Sequence, residues 1–70
     1  MEQTDENGWT GFIYACNYNK IYIVKLLTKK NSKIIDQRDV HGNTGFIHAC
    51  YNRLYDVLKF LLNEFPQLIN

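Results

Sequence analysis

The chain states one pattern twice. Asp5-Glu6-Asn7-Gly8-Trp9-Thr10-Gly11-Phe12-Ile13-Tyr14-Ala15-Cys16 returns as Asp39-Val40-His41-Gly42-Asn43-Thr44-Gly45-Phe46-Ile47-His48-Ala49-Cys50, every matching pair 34 positions apart. The register holds downstream, where Ile23-Val24-Lys25-Leu26-Leu27 aligns with Val57-Leu58-Lys59-Phe60-Leu61 and Ile34-Ile35-Asp36 with Leu68-Ile69-Asn70. A fixed period of this length marks stacked supersecondary units, each unable to bury its apolar face alone.

Each unit reads as turn, short helix, tight turn, longer helix and extended arm. Thr10 and Thr44 stand at N-cap positions, their hydroxyls placed to accept an orphan N–H of the first helical turn. Phe12, Ala15 and Cys16, like Phe46, Ala49 and Cys50, fall at i, i+3, i+4 spacing and form one apolar stripe. The small Ala-Cys pair admits a close second helix, so both cysteines are expected to be buried. The first helix stops near Asn19 and Arg53. A second stripe follows, Ile23, Leu26 and Leu27 in unit one with Val24 beside them, and Val57, Phe60 and Leu61 in unit two with Leu58 beside them. Ile34 and Ile35 are expected to anchor an extended arm, and Gly8 and Gly42 supply the freedom for a turn tip.

This pattern resembles the ankyrin repeat, roughly D-x-x-G-x-T-P-L-H-x-A-A-x-x-G-H-x-x-V-V-x-L-L. Asp5, Gly8, Thr10, Phe12, Ala15, Cys16, Ile23, Val24, Leu26 and Leu27 meet it, as do their counterparts in unit two, and the similarity covers residues 5 to 70. The resemblance implies an all-α repeat fold: an ankyrin-type solenoid of two helix-turn-helix units joined by an extended β-turn arm. The chain is read as a single domain over 1–70, with repeat one at 5–38 and repeat two at 39–70, whose final arm leads toward a missing third repeat. Three departures stand out. Gly11 and Gly45 replace the family's proline, giving up a pre-set φ at a cost of about 0.5–1 kcal/mol each. Ile13 and Ile47 replace the histidine that ties turn to helix, so that polar tie is expected to be absent. Asn19 and Arg53 replace the inter-helix glycine, where Asn tolerates a left-handed backbone and Arg does so poorly.

Composition excludes several function classes. The net charge is +1, with acids and bases interspersed, which supplies no basic stripe for nucleic acid or an anionic membrane. Lys29, Lys30 and Lys33 read as a solvated helix end. No apolar run is long enough to span a bilayer, and the polar opening from Met1 to Asn7 does not read as a signal peptide. An intracellular setting follows, cytoplasmic or nuclear. Cys16 and Cys50 agree, because equivalent positions in stacked units lie about 10 Å apart, beyond the roughly 7 Å Cα separation that a disulfide tolerates.

No enzyme is read here. There is no Gly-rich phosphate loop or activated serine, and pairing Cys16 or Cys50 with His41 or His48 would require an exposed thiolate that core cysteines do not offer. Their spacing fits no zinc pattern, so no cofactor or metal is expected, and His48 reads as a partly exposed surface histidine. Phe12, Phe46 and Phe60 are core by spacing, whereas Tyr22 and Tyr55 read as outer-face packing residues.

By resemblance, the chain is a non-catalytic module that binds a partner protein through its turn tips and concave first-helix face. The candidate surface is Glu6, Asn7, Trp9, Asn17 and Tyr18 from unit one, with Val40, His41, Asn43, Tyr51 and Asn52 from unit two. Trp9 and Tyr51 lead as anchors, being large aromatics off both stripes. The alternative is a structural unit that self-associates or packs end to end through exposed apolar repeat faces, because Phe65, Leu68 and Ile69 would otherwise face nothing.

Overall fold

The computed structural model describes residues 6–69, the last by its backbone alone. Asp5 and Asn70, which the pattern places at unit ends, and the side chain of Ile69 lie outside the described residues. Four α-helices run in order: α1 (Gly11–Asn17), α2 (Ile21–Lys30), α3 (Gly45–Tyr51) and α4 (Tyr55–Glu64). Short 3-10 helices follow α2 at Ser32–Asp36 and α4 at Pro66–Ile69, and there is no strand among the described residues. This is the all-α repeat fold that the period implies.

The caps form where the threonines stand. Thr10 Oγ1 accepts the Ile13 N–H at 3.2 Å and Thr44 Oγ1 accepts the Ile47 N–H at 3.3 Å, each contributing about 1 kcal/mol. At the other end of α1 and α3, Asn19 and Arg53 take left-handed conformations with φ of 59° and 55°. The amides just beyond then reach back, Lys20 N–H to the Ala15 carbonyl at 2.9 Å and Leu54 N–H to that of Ala49 at 3.0 Å. These bonds satisfy carbonyls the helix would leave orphaned and turn the chain sharply into α2 and α4.

Within each unit the two helices pack together, and between units α1 packs on α3 and α2 meets α4. One core joins both units: Phe12, Ala15, Cys16, Val24 and Ile35 of the first with Ala49, Val57 and Leu61 of the second. Burying each Val, Leu or Phe here contributes about 1.5–3 kcal/mol. The α1–α3 approach is close enough that a Cβ on Gly45 would stand 2.7 Å from Cε2 of Phe12 and 2.8 Å from Sγ of Cys16. The glycine that looks like a loss against the family pattern is therefore a packing requirement.

Four expectations need correction. Cys50 is exposed, not buried, because its counterpart Cys16 is covered by α3 and no described element covers Cys50. In α2 the buried residues are Val24 and Thr28, while Ile23 and Leu26 of the expected stripe are 44% and 43% exposed. Val57, at Ile23's place in unit two, is fully buried; unit one lies on its near side, whereas no described helix precedes α1 to cover Ile23. Thr28 tolerates burial by donating its hydroxyl to the Val24 carbonyl at 2.9 Å. The arm is not extended throughout: Asn31 Oδ1 accepts the Lys33 N–H at 3.1 Å and winds Ser32–Asp36 into a 3-10 helix, though Ile35 is its buried anchor. Finally, Phe65 and Leu68 do not face nothing. The Leu68 N–H bonds the Phe65 carbonyl at 3.0 Å, and the turn folds both side chains onto the core.

Candidate protein-binding surface

The tip between the units is built around one buried carboxylate. Asp39 Oδ1 accepts the backbone N–H groups of His41 and Asn43, each at 2.9 Å, and Oδ2 meets His48 Nε2 at 2.9 Å. Burial alone would push this carboxyl up, but the bonds from Asn43, His48 and His41, with the His48 charge interaction, outweigh it and hold it below its ordinary value. Around it the Asp39 N–H donates to the Asn43 carbonyl at 2.9 Å, and Arg38 Nη1 donates to the Gly42 carbonyl at 2.9 Å. The Val40 N–H reaches the Asn7 carbonyl at 2.9 Å and ties the first tip to the second. Gly8 permits this: its φ is 76°, and a Cβ there would lie 2.9 Å from the Val40 nitrogen.

His48 carries the network into the helices. Its Nδ1 lies 3.2 Å from Asn17 Oδ1, which also accepts Asn52 Nδ2 at 2.7 Å, while Asn52 Nδ2 donates to the His48 carbonyl at 2.9 Å. In unit two the tie between turn and helix that Ile47 seemed to remove is thus present, moved one residue along to His48. Its side chain is only 12% exposed, so it is a bridge between units rather than the surface histidine expected.

An aromatic strip borders this network. Trp9 lies edge-to-face with Tyr14 (centroids 4.9 Å, 67°) and with His48 (4.7 Å, 74°), and Tyr14 stacks on Tyr18 (6.1 Å, 11°). Such pairs are worth about 0.5–1.5 kcal/mol beyond area burial. Trp9 is half-buried within the strip, and Tyr18 is its open end at 59% exposure.

The structure therefore brings together Asn7 and Val40 through the tips, Asn17 and Asn52 through His48, and Trp9 and Tyr18 through Tyr14. Asn43 is half-buried and holds its tip by backbone bonds, and the side chains of Glu6 and His41 are exposed. Tyr51 is 79% exposed and joins none of these groups by a described ring contact. Tyr22 and Tyr55 lie on the outer helices as expected, but exposed rather than packed. Three organising residues were not among the surface residues expected from the sequence: Tyr14, Asp39 and His48. Tyr14 carried a signal, since Tyr14 and Tyr18 share a helix face at i, i+4, and His48 occupies Tyr14's place in unit two.

The family model described as ankyrin repeats (3 copies) matches residues 1–69. The chain belongs to the ankyrin repeat family. The match is to a three-copy array, of which the internal repetition of this sequence makes two units visible. No curated protein and no solved structure matches the chain. Ankyrin repeats are in general protein-interaction modules. Among the described residues no group of three or more His, Cys, Asp or Glu side chains is arranged to hold a metal ion, and no helix is long and apolar enough to cross a membrane.

Proposed function

We propose that this ankyrin pair is a non-catalytic module that binds a protein partner through its turn tips and first-helix face. Residues 5–38 and 39–70 are its two repeats within one domain. The binding surface comprises Glu6, Asn7, Trp9, Asn17 and Tyr18 of the first, with Val40, His41, Asn43, Tyr51 and Asn52 of the second. The observation that carries this reading is the continuity between the tip built on Asp39 and the Trp9–Tyr14–Tyr18 strip, which sets exposed rings on backbone already fixed by hydrogen bonds. A rigid surface loses little entropy on binding, and aromatic anchors with polar tips concentrate affinity. Trp9 serves as the strip's inner support, and Tyr18 and Tyr51 are the anchors a partner meets first.

Selection of binders from a displayed polypeptide library against the 70-residue chain tests this. Binders should weaken by about tenfold or more on Tyr18→Ser or Val40→Ser, with circular dichroism unchanged, and be indifferent to Tyr22→Ser on the outer helix. Binders that depend on Tyr22 and ignore Tyr18 and Val40 would place the site on the other face.

A further inference from the structure

The junction between the two units is a template for what fits at their outer ends. Across it, Phe12, Cys16 and Asn17 of unit one meet Gly45 and His48 of unit two. Moved by the 34-residue period, the first set becomes Phe46, Cys50 and Tyr51, and the second becomes Gly11 and Tyr14. Although Trp9 and Tyr18 pack on Tyr14, no further helix among the described residues covers these outer ends. Most of the exposed large apolar side chains fall on them: Tyr14, Tyr22, Ile23 and Leu26 at the unit-one end, and Tyr51 and Tyr55 at the other.

The steric requirement of the junction is repeated at Gly11. No Cβ fits at Gly45, while one at Gly11 would meet nothing within 4 Å. A glycine weakens a helix against alanine, so within one chain Gly11 has no packing reason to be glycine. Set against a Phe46–Cys50 end, it has the reason Gly45 has.

The two ends also differ from the inner junction in matched ways. Where the junction pairs Asn17 with His48, the ends present Tyr51 and Tyr14. Where Ile21 and Asp56 line one groove between α2 and α4, the ends present Tyr55 and Tyr22. Both sides change together and to aromatic residues, so each polar or mixed pair becomes a tyrosine pair. The object that carries both halves of this complementarity is a second copy of the chain.

We infer that the chain stacks end to end on itself, the Phe46–Cys50 end of one copy covering the Gly11–Tyr14 end of the next. The contact is heterologous: each pairing leaves one end free on both molecules, so association grows a linear array instead of closing. This goes beyond the partner-binding reading: stacking covers Tyr51 and leaves Asn7, Tyr18 and Val40 open to a partner.

Sedimentation equilibrium of the 70-residue chain tests the inference with two variants. Gly11→Glu places an acid in the first turn of α1, which favours the helix, and Cys50→Glu alters an exposed position; circular dichroism checks that both remain folded. The wild type should show mass rising with concentration, and each variant alone should associate about tenfold or more weakly. Mixed in equal amounts the variants should form a heterodimer and nothing larger, because one junction, Cys50 of the Gly11→Glu chain against Gly11 of the Cys50→Glu chain, is intact. A monomeric wild type, a variant that associates like wild type, or a mixture as monomeric as its parts would each overturn the inference.

Discussion

Cys16 and Cys50 stand at the same point of the repeat and meet opposite surroundings: Cys16 is fully buried under α3, and Cys50 is exposed. Burial pushes the Cys16 thiol up to about 12, because the thiolate would have no water and no cation to stabilise it. An alkylating reagent applied at neutral pH to dilute protein should therefore modify one thiol per chain promptly, and peptide mapping should find it at Cys50. Cys16 should react only as fast as the fold opens, its rate rising with denaturant. Two thiols reacting alike in the native chain would mean that the junction between units does not close.

The two helix-opening glycines should respond in opposite directions to the same change. Gly45→Ala drives a methyl group into Phe12 and Cys16 and should destabilise the chain by about 1–3 kcal/mol. Gly11→Ala adds a methyl group to open space in dilute protein and should stabilise by up to about 1 kcal/mol through helix propensity and a less flexible unfolded chain. Urea unfolding followed by circular dichroism measures both. Equal effects would show that α1 and α3 are farther apart than the structure places them.

The fold was legible in the sequence because a repeat prints its periodicity twice, so caps at Thr10 and Thr44 and stops at Asn19 and Arg53 check each other. What the period hides is position in the stack. Cys16 and Cys50, or Ile23 and Val57, are interchangeable in the pattern, yet one of each pair is buried and the other exposed, since burial depends on whether a neighbour lies on that side. The proposed binding surface was read from positions off the apolar stripes, and the structure sets two of its residues, Asn17 and Asn52, in the His48 network and a third, Tyr18, at the end of the aromatic strip. Asp39 entered only as the first residue of the repeated pattern, and its partnership with His48 crosses nine positions of chain that no local spacing rule connects. Comparison with the family pattern misled at Ile47, where a missing histidine was read as a missing hydrogen bond although the next residue restores it.

Left-handed backbone at Arg53 carries a cost that can be removed. A residue with a Cβ loses about 1–2 kcal/mol in that conformation, which glycine adopts freely. Arg53 has φ 55° and an exposed side chain, so Arg53→Gly should raise stability by about 1 kcal/mol after the extra chain entropy of glycine is charged against it. Asn19, with φ 59°, already belongs to a residue type that tolerates the region, and Asn19→Gly should change stability by less than about half that amount. Thermal unfolding of both variants gives the comparison. A loss at Arg53→Gly would mean that the arginine stem contributes more packing than its exposure implies.

Asp39 should make the chain acid-sensitive in a defined direction. Its carboxyl titrates below the ordinary value of 3.8 in the folded chain, so the folded state binds that proton less readily than the unfolded state. The stabilisation this creates is fully present above the unfolded value and is lost as pH falls through the lower folded one. Asp39→Asn keeps the side chain's shape but replaces a charged acceptor with a neutral amide, and at neutral pH it should cost about 2 kcal/mol. The difference in unfolding free energy between wild type and Asp39→Asn isolates this group from the other carboxylates, which both proteins share. That difference should be constant well above the unfolded value as far as Asp39 itself is concerned, and shrink steadily as pH falls through it toward the lower folded one. A difference that holds its size into acid would mean that Asp39 titrates alike in the folded and unfolded chain, so that the bonds at the tip give the charged carboxylate no advantage over the protonated one.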